Sequence, residues 1–531
     1  MVDITFYGAV SRIGGNKTLI EDSDTKIFLD FGINYSKEDL FFEFPLLRPS
    51  CKEDLFKLNL LPIIPGLYQN QGYYPIYKDD GTFSVAGESE QKQINAIFLS
   101  HAHMDHYGYF GLIRHDIPLY MSDITKKLIE LRENVGSKNW NSNLENSDIK
   151  EIEKNKNLQI NDFNIYRYDV DHSILGASGY IININNITIA YTGDFRFHGY
   201  RKDLTEDFLS NLKNQHIDIL ITEGTRVTDK MEQDESMISS KSLETEHDVY
   251  EKCHEIVSNE DKLIIYDASY ADLDRVRTLW KIAKKTGRKL VLDSKKAFIL
   301  LYLNAEKQLV KDIPQLGDFL IYLNRHKFNK RGKIYDDLTN GHDVYAESFE
   351  YYRQNHEAQL TVKQQINSKL KKKSKTLEEY QKQFNNPYLF EIDENNFIWG
   401  PHGREKILRN PNEYIVYTSN GMQTMLQFKP ANHPINGTYI YGKAEPFKEE
   451  MILSFKRLQN WLRACNFKLE YAHTSGHVNR KKMEEFLEEV RPSKLFPIHT
   501  EQPKVFFEVG YKKTQEIILP EYGKKYSFKS N

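Results

Sequence analysis

The chain alternates short apolar runs with glycine turns, and polar side chains follow several of those runs. Near the N-terminus, I-T-F-Y-G, K-T-L-I-E-D and K-I-F-L-D-F-G predict three short strands joined by turns. The later run at 97–99 is long enough for a buried strand, and further runs end at Tyr191, Glu223 and His499. The polar side chains that terminate these runs are therefore expected at strand ends.

The second half of the chain alternates predicted strands and helices. An apolar strand over 263–268 is followed by a helix over 272–286 and a strand over 289–292, which is typical of an α/β unit with parallel strands. Other helices are predicted over 123–135, 147–154, 447–465 and 480–490.

Two segments interrupt this pattern. Residues 35–92 are irregular and rich in Pro, Gly and Tyr, which predicts a surface excursion. From about 324 to 400 Lys, Gln, Glu and Tyr dominate, and 356–384 is a long helical stretch containing K-L-K-K-K-S-K. Such a charged run indicates a solvated helical face, or alternatively an arm that contacts a polyanion.

Four metal-ligand side chains lie together after the run I-F-L. The stretch S-H-A-H-M-D-H-Y-G places His101, His103, Asp105 and His106 within six residues. Imidazole nitrogens and carboxylate oxygens both suit zinc. On an extended segment His101 and His103 lie on the same side and can hold one ion. Beyond the bend, Asp105 and His106 can point at a second ion roughly 3.5 to 4 Å away.

Two more ligand-type residues follow at the ends of predicted strands. His172 lies in D-H-S-I-L-G, and Asp194 lies in T-G-D-F-R. Asp30, which ends a strand near the N-terminus, is either an acceptor that steadies a ligand histidine or an ordinary strand-end aspartate.

Composition narrows the class of protein. The 531 residues are 40% hydrophobic with a formal net charge of −3, so no global basic field indicates nucleic-acid binding. The three cysteines are far apart and odd in number, and therefore predict neither a disulfide framework nor a Cys-x-x-Cys metal site. No apolar run is long enough to span a bilayer and no leader pattern is present, which predicts a cytoplasmic protein.

The order H-A-H-M-D-H, then D-H-S, then T-G-D resembles the metallo-β-lactamase superfamily. Glu223, the S-G-H at 475–477 and the P-I-H ending at His499 match the extra motifs of its β-CASP branch, and G-A-V-S-R-I-G-G-N is similar to the ribonuclease J group. The resemblance implies an α/β fold, an αββα sandwich with an inserted α/β β-CASP domain. The expected domains are 1–225, 226–472 and 473–531, the last completing the first.

The same resemblance implies two zinc ions, with Mn²⁺ or Mg²⁺ as substitutes, and a ligand set for each. Asp194 would bridge the ions. The first ion would be held by His101, His103 and His172, and the second by Asp105, His106 and His499.

Catalytic roles follow from the resemblance as well. Besides Asp105, the expected catalytic residues are His477, which would protonate the leaving oxygen or hold the scissile phosphate, and Glu223, which would orient His477. His473 and Ser475 are expected to grip a neighbouring phosphate. The expected basic contacts to a polyanion are Arg196, Arg226, Arg275, Lys295, Lys296 and 479–482.

The predicted function is hydrolysis of single-stranded RNA by a hydroxide that two zinc ions activate, in exonuclease or endonuclease mode. DNA remains a second possible substrate, because nothing in the motifs reads a 2′-hydroxyl. The chain could instead be a small-molecule hydrolase or a catalytically silent scaffold. A homo-oligomer is possible, and no membrane partner is expected.

Overall fold

Three seven-stranded β-sheets account for most strands in the described part of this computed structural model. The structure describes residues 1–43, 47–69, 74–77, 83–86, 93–135, 140–229, 243–269, 271–293, 296–297, 299–300, 303, 312–315, 317–323, 397–419, 421, 424, 436–444, 449–511 and 513–529. Lys295, nearly all of the charged insertion at 324–400 and part of the excursion at 35–92 lie outside the described residues.

The chain divides into two compact units. The first unit comprises Met1–Glu130, Lys138–Ser236 and Gly476–Asn531, and the second comprises Leu131–Ser137 and Met237–Ser475. The expected domains 1–225, 226–472 and 473–531 stay a prediction.

Two mixed sheets build the first unit. In the first sheet the strands lie side by side in the order Lys525–Phe528, Val2–Phe6, Thr18–Asp22, Thr25–Leu29, Ala96–Phe98, Leu119–Met121 and Ile149–Glu151. In the second sheet the order is Glu516–Ile517, Lys494–Ile498, Ile219–Glu223, Ile187–Tyr191, Ser178–Ile184, Phe163–Asp169 and Asn157–Ile160.

The core of the first unit lies between these sheets. Alternate side chains of the first sheet, such as Ile4 and Leu29, belong to one buried cluster with Ile182 and Phe496 of the second sheet. The opposite face of the second sheet packs on the helices Lys202–Lys213, Arg480–Val490 and Phe506–Val509. This arrangement agrees with the sandwich that the family resemblance implied, and each apolar sheet face is covered by a packed layer.

The second unit is organised around one parallel sheet. Its strands lie in the order Phe397–Trp399, Phe319–Leu323, Lys289–Asp293, Tyr414–Thr418, Leu263–Asp267, Gly437–Tyr441 and Phe467–Tyr471. All six neighbouring pairs are parallel. The helices of this unit are Glu246–Ser258, Leu273–Thr286, Gly400–Arg409 and Glu449–Ala464.

Four further α-helices and a two-stranded hairpin lie in the described part of the chain. They are the helices Tyr35–Glu38, Lys52–Lys57, Met104–Tyr107 and Asp123–Val135 and the hairpin of Tyr74–Tyr77 with Phe83–Ala86. Among the described residues, no helix has the length and apolar character needed to cross a membrane.

One predicted element is wrong. Residues 147–154 were expected to be helical, but Ile149–Glu151 forms a strand that pairs in parallel with Leu119–Met121. As the edge strand of the sheet, this segment forms backbone hydrogen bonds with its neighbour instead of the hydrogen bonds of a helix. The tertiary contact therefore outweighs the local helical preference.

Candidate metal centre

The predicted ligands lie at the ends of strands in the first unit. His101 and His103 follow the strand Ala96–Phe98, and Asp105 and His106 lie in the helical turn Met104–Tyr107. The other three ligands each follow a strand of the second sheet; they are His172, Asp194 and His499. The ends of strands from both sheets therefore carry the seven predicted ligands.

The first ligand set contains His101, His103 and His172. His103 Nδ1 lies 2.9 Å from His101 Nε2 and 3.3 Å from His172 Nε2. Burial lowers the pKa of His101 and of His172 well below the usual value, and it lowers the pKa of His103 to about 4. All three imidazoles are therefore neutral at pH 7 and have lone pairs available for a cation.

The second ligand set contains Asp105, His106 and His499. Asp105 Oδ2 lies 3.1 Å from His499 Nε2 and 4.0 Å from His106 Nε2. Burial opposes ionisation of Asp105, but His106 and His499 outweigh it and hold the pKa of Asp105 well below its usual value. The set therefore offers one carboxylate and two imidazoles.

Asp194 lies between the two sets. Its Oδ2 atom is 3.7 Å from His101 Nε2, 3.9 Å from His172 Nε2 and 3.2 Å from His106 Nε2. The side chain is 2% exposed, and His499 and His106 overcome the effect of burial and keep its pKa well below the usual value. An ionised carboxylate at this point faces both sets, as a bridging ligand must.

Hydrogen bonds on the outer ring nitrogens fix which nitrogen faces inward. His172 Nδ1 donates to Gly476 O at 2.6 Å, and His499 Nδ1 lies within hydrogen-bond distance of Thr225 Oγ1, at 2.8 Å. Because a carbonyl can only accept, the proton of His172 must lie on Nδ1, and its Nε2 keeps its lone pair for the centre. Thr225 orients the ring of His499.

Asp30 performs the same task for two further ligands. Its Oδ2 atom accepts a hydrogen bond from His106 Nδ1 at 2.7 Å and another from Ser100 Oγ at 2.8 Å. Ser100 Oγ in turn lies 3.0 Å from His101 Nδ1 and accepts from it. Of the two sequence-based interpretations of Asp30, the structure favours the acceptor that steadies ligand histidines.

The donor set fits divalent cations. In the first set, His103 Nδ1 lies within 3.3 Å of both His101 Nε2 and His172 Nε2, and lone pairs so close repel unless a positive charge lies between them. In the second set, Asp194 and Asp30 overcome burial and raise the pKa of His106 well above its usual value, so these carboxylates favour positive charge. Imidazole with carboxylate is a donor combination suited to zinc.

His477 and Glu223 form a pair beside the centre. His477 Nδ1 is 3.1 Å from both carboxylate oxygens of Glu223 and 3.8 Å from Asp194 Oδ2. Burial disfavours the charged imidazole, but Glu223 and then Asp194 outweigh burial and raise the pKa of His477 to about 9. Glu223 is itself held by the backbone N–H groups of Phe195 and Thr225 at 3.2 and 3.0 Å.

The predicted phosphate contacts and the predicted basic contacts have different outcomes. His473 and Ser475 lie in the second unit, where His473 Nδ1 is 3.2 Å from Gly442 O, and their phosphate contact stays a prediction. Three expected basic contacts are buried rather than exposed, and for these the prediction of a surface contact is wrong. They are Arg196, Arg275 and Lys296, at 1%, 1% and 0% exposure.

The burial of these cations has a local cause. Arg196 lies 3.2 Å from Asp171, Arg275 pairs with Glu246, and Lys296 donates to the backbone carbonyl of Asp272 at 2.8 Å.

The sequence did not predict the roles of Ser100 and Thr225, because a hydroxyl that orients a ligand histidine has no characteristic spacing in the sequence.

The fold and the clustered ligands define a class of protein. A family profile described as a beta-lactamase superfamily domain matches residues 82–252. Residues 82–252 thus match a domain of the metallo-β-lactamase superfamily, a fold that implies binding of divalent metal.

Within that superfamily the chain is similar to ribonuclease J proteins. It is 24% identical over 323 residues to Ribonuclease J 2 of Streptococcus pyogenes, covering 59% of this chain and 49% of the relative. It is also 24% identical over 368 residues to Ribonuclease J of Pyrococcus abyssi, covering 64% of this chain and 74% of the relative. The chain thus spans only about half the length of the streptococcal relative.

A solved structure also supports the fold. A crystal structure of a protein of unknown function from Enterococcus faecalis V583 matches with a TM-score of 0.66 at 20% identity, covering 99% of each chain. At this identity the match bears on the fold alone.

Proposed function

We propose that this protein is a metal-dependent nuclease of the β-CASP branch that hydrolyses phosphodiester bonds of single-stranded RNA. The observation that carries the proposal is the convergence of seven predicted ligands into two sets that share Asp194. Similarity to ribonuclease J proteins favours RNA as the substrate.

The proposed centre holds two zinc ions, with manganese or magnesium as possible substitutes. When bound, such cations lower the pKa of water toward 7 and neutralise charge on a phosphodiester in the transition state. His101, His103 and His172 would hold the first ion, and Asp105, His106 and His499 the second, with Asp194 facing both. The outer hydrogen bonds keep these rings oriented before substrate arrives.

His477 is the proposed general acid. Its pKa of about 9 keeps it protonated at neutral pH, and Glu223 holds its Nδ1 side. A protonated imidazole in this position can deliver a proton to the leaving 3′ oxygen, which would otherwise depart as a strongly basic alkoxide. Glu223 acts through His477 and is therefore a positioning residue.

Exposure indicates the side from which substrate reaches the centre. The side chains of His477 and Asp105 are 20% and 22% exposed, whereas those of His101 and His172 are fully buried. The scissile phosphate would therefore approach from the side of His477 and Asp105, which places the proposed acid next to the reacting bond.

The test is a cleavage time course on matched single-stranded RNA and DNA, each with a 5′-monophosphate or a 5′-hydroxyl. Zinc and manganese content is measured on the same preparation. We expect cleavage of RNA, loss of cleavage on treatment with a chelator, and recovery on addition of zinc or manganese. The distribution of product lengths separates trimming from the 5′ end from internal cleavage.

A variant prepared in parallel controls for contaminating nuclease. His101→Ala removes one inward nitrogen from the first ligand set, so we expect the protein to lose both metal and cleavage. Equal cleavage by His101→Ala and wild type would refute the proposed site. Faster cleavage of DNA than of RNA would assign the protein to the DNA nucleases of the same branch. Full metal content without cleavage of either polymer would contradict the proposed function.

A further inference from the structure

Lys17 is a buried lysine that the proposed mechanism does not use. It directly precedes the strand Thr18–Asp22, and its side chain is 1% exposed. Its Nζ atom donates to the backbone carbonyls of Gly15 at 3.2 Å and Gly32 at 2.5 Å. The ammonium also faces the rings of Phe31 and Tyr109, with centroids at 5.4 and 5.1 Å.

No carboxylate of the described residues lies within 4.0 Å of this ammonium, and a buried charge without such a partner is costly. Burial lowers the pKa of Lys17 to about 7, while Glu38 acts in the opposite direction and Lys37 adds to the lowering. A methionine or leucine would fill the same space without this cost. What distinguishes Lys17 from an apolar residue is its hydrogen bonds to the carbonyls of Gly15 and Gly32.

The two carbonyls that Lys17 joins belong to two segments that support Asp105 and His106. In the first segment the N–H groups of Gly15 and Asn16 donate to Asp105 O at 3.1 and 3.0 Å. In the second segment Phe31 N donates to His106 O at 2.7 Å. Both segments thus hold the backbone of the second ligand set.

These segments are packed against that backbone without spare room. A Cβ atom on Gly32 would lie 1.7 Å from Asp105 O. A Cβ atom on Gly14 would lie 2.9 Å from Asp105 Cβ. Movement of either glycine segment would consequently displace Asp105.

We propose that Lys17 is a positioning residue for the second cation, because its Nζ group donates to the carbonyls of Gly15 and Gly32, joins the two segments and so keeps Asp105 and His106 in ligand geometry. The proposal rests on the two-cation centre proposed above. It predicts an effect on the second ligand set, whose backbone the two glycine segments contact directly, whereas His101 and His172 of the first set are held by Ser100 and Gly476.

The test compares Lys17→Met with Lys52→Met. Lys52 is a matched control, since it is also buried, at 7% exposure, and donates to a backbone carbonyl, Gln69 O, at 2.6 Å. Each protein is stripped of metal, and zinc is titrated in against a chromophoric chelator to count sites and measure their affinities. Thermal unfolding of the stripped proteins is measured in parallel.

We expect wild type and Lys52→Met to bind two zinc ions alike. Lys17→Met should bind one ion with unchanged affinity and the other at least tenfold more weakly, the usual scale when support of a metal ligand is lost. Its stripped form should unfold at the wild-type temperature or above. Lys17→Gln, whose amide can donate to one carbonyl, should show an intermediate affinity.

Two equally tight ions in Lys17→Met would overturn the role of Lys17 and leave the proposed centre standing. Failure of both Lys17 variants to fold would overturn it in favour of a purely structural role. If wild type bound no ion, the proposed centre and the role of Lys17 would fall together.

Discussion

Replacing Asp30 by asparagine tests how the centre is held in place. The Asp30 side chain is fully buried, and its Oδ1 atom accepts from Ser100 N at 2.7 Å. Its Oδ2 atom accepts from Ser100 Oγ, His106 Nδ1 and Tyr191 Oη at 2.8, 2.7 and 2.6 Å. Asparagine can keep the bond to Ser100 N, but it turns an amide N–H₂ group toward three donors.

The magnitude follows from what those donors lose. The new amide N–H₂ group donates, so His106 Nδ1 can bond to it only as an acceptor. The ring proton must then lie on Nε2, the atom that would otherwise bind the second cation. Losing such an orienting partner costs 10- to 100-fold in metal affinity, or about 1.4 to 2.7 kcal/mol. Each donor left without an acceptor costs about 1 to 3 kcal/mol of stability in addition.

The assay is zinc titration of the stripped protein, with urea unfolding measured at the same pH. Tyr191→Phe is the matched control, because it removes one of the donors and leaves the acceptor for His106 intact. We expect Tyr191→Phe to lose about 1 kcal/mol of stability and no zinc affinity. An Asp30→Asn protein that folds and binds two zinc ions as tightly as wild type would refute the role assigned to Asp30.

Further predictions concern the acid pair and Lys17. His477→Gln should keep both metals and slow cleavage by about a hundredfold or more, and a normal rate would remove His477 from the mechanism. Glu223→Gln should lower the pKa of His477 from about 9, so that the pH–rate profile falls at lower pH than in wild type. For Lys17, the unfolded chain keeps a proton between pH 7 and 10.5 that the folded protein has released. The stability of stripped wild type relative to Lys17→Met should therefore rise across that range, by up to about 1.4 kcal/mol per pH unit, and urea unfolding that shows a flat difference would contradict this.

The ligands could be predicted because metal chemistry leaves a dense local signal. His101, His103, Asp105 and His106 lie within six residues, His172 ends a predicted strand before a glycine turn, and Asp194 follows the run 187–191 just past Gly193. The structure brings these side chains together, and the sandwich fold agrees with the predicted one. The expectation for 147–154 was wrong because strand pairing with Leu119–Met121 outweighs a polar local pattern.

Basic residues were harder to interpret from the sequence. Arg196 and Arg275 were expected at the surface but are buried beside Asp171 and Glu246. The sequence does not show whether a charged side chain contacts water, a carboxylate far away in the chain or a ligand.

By itself, the sequence determined which side chains can bind metal and that they end strands, since donor chemistry and hydrophobic periodicity are local properties. Only the tertiary structure decided that Asp30 orients His106, that Thr225 orients His499 and that Lys17 joins Gly15 to Gly32. The reason is physical: hydrogen bonds are directional over about 3 Å, and residues far apart in the sequence come within that distance only when the chain has folded.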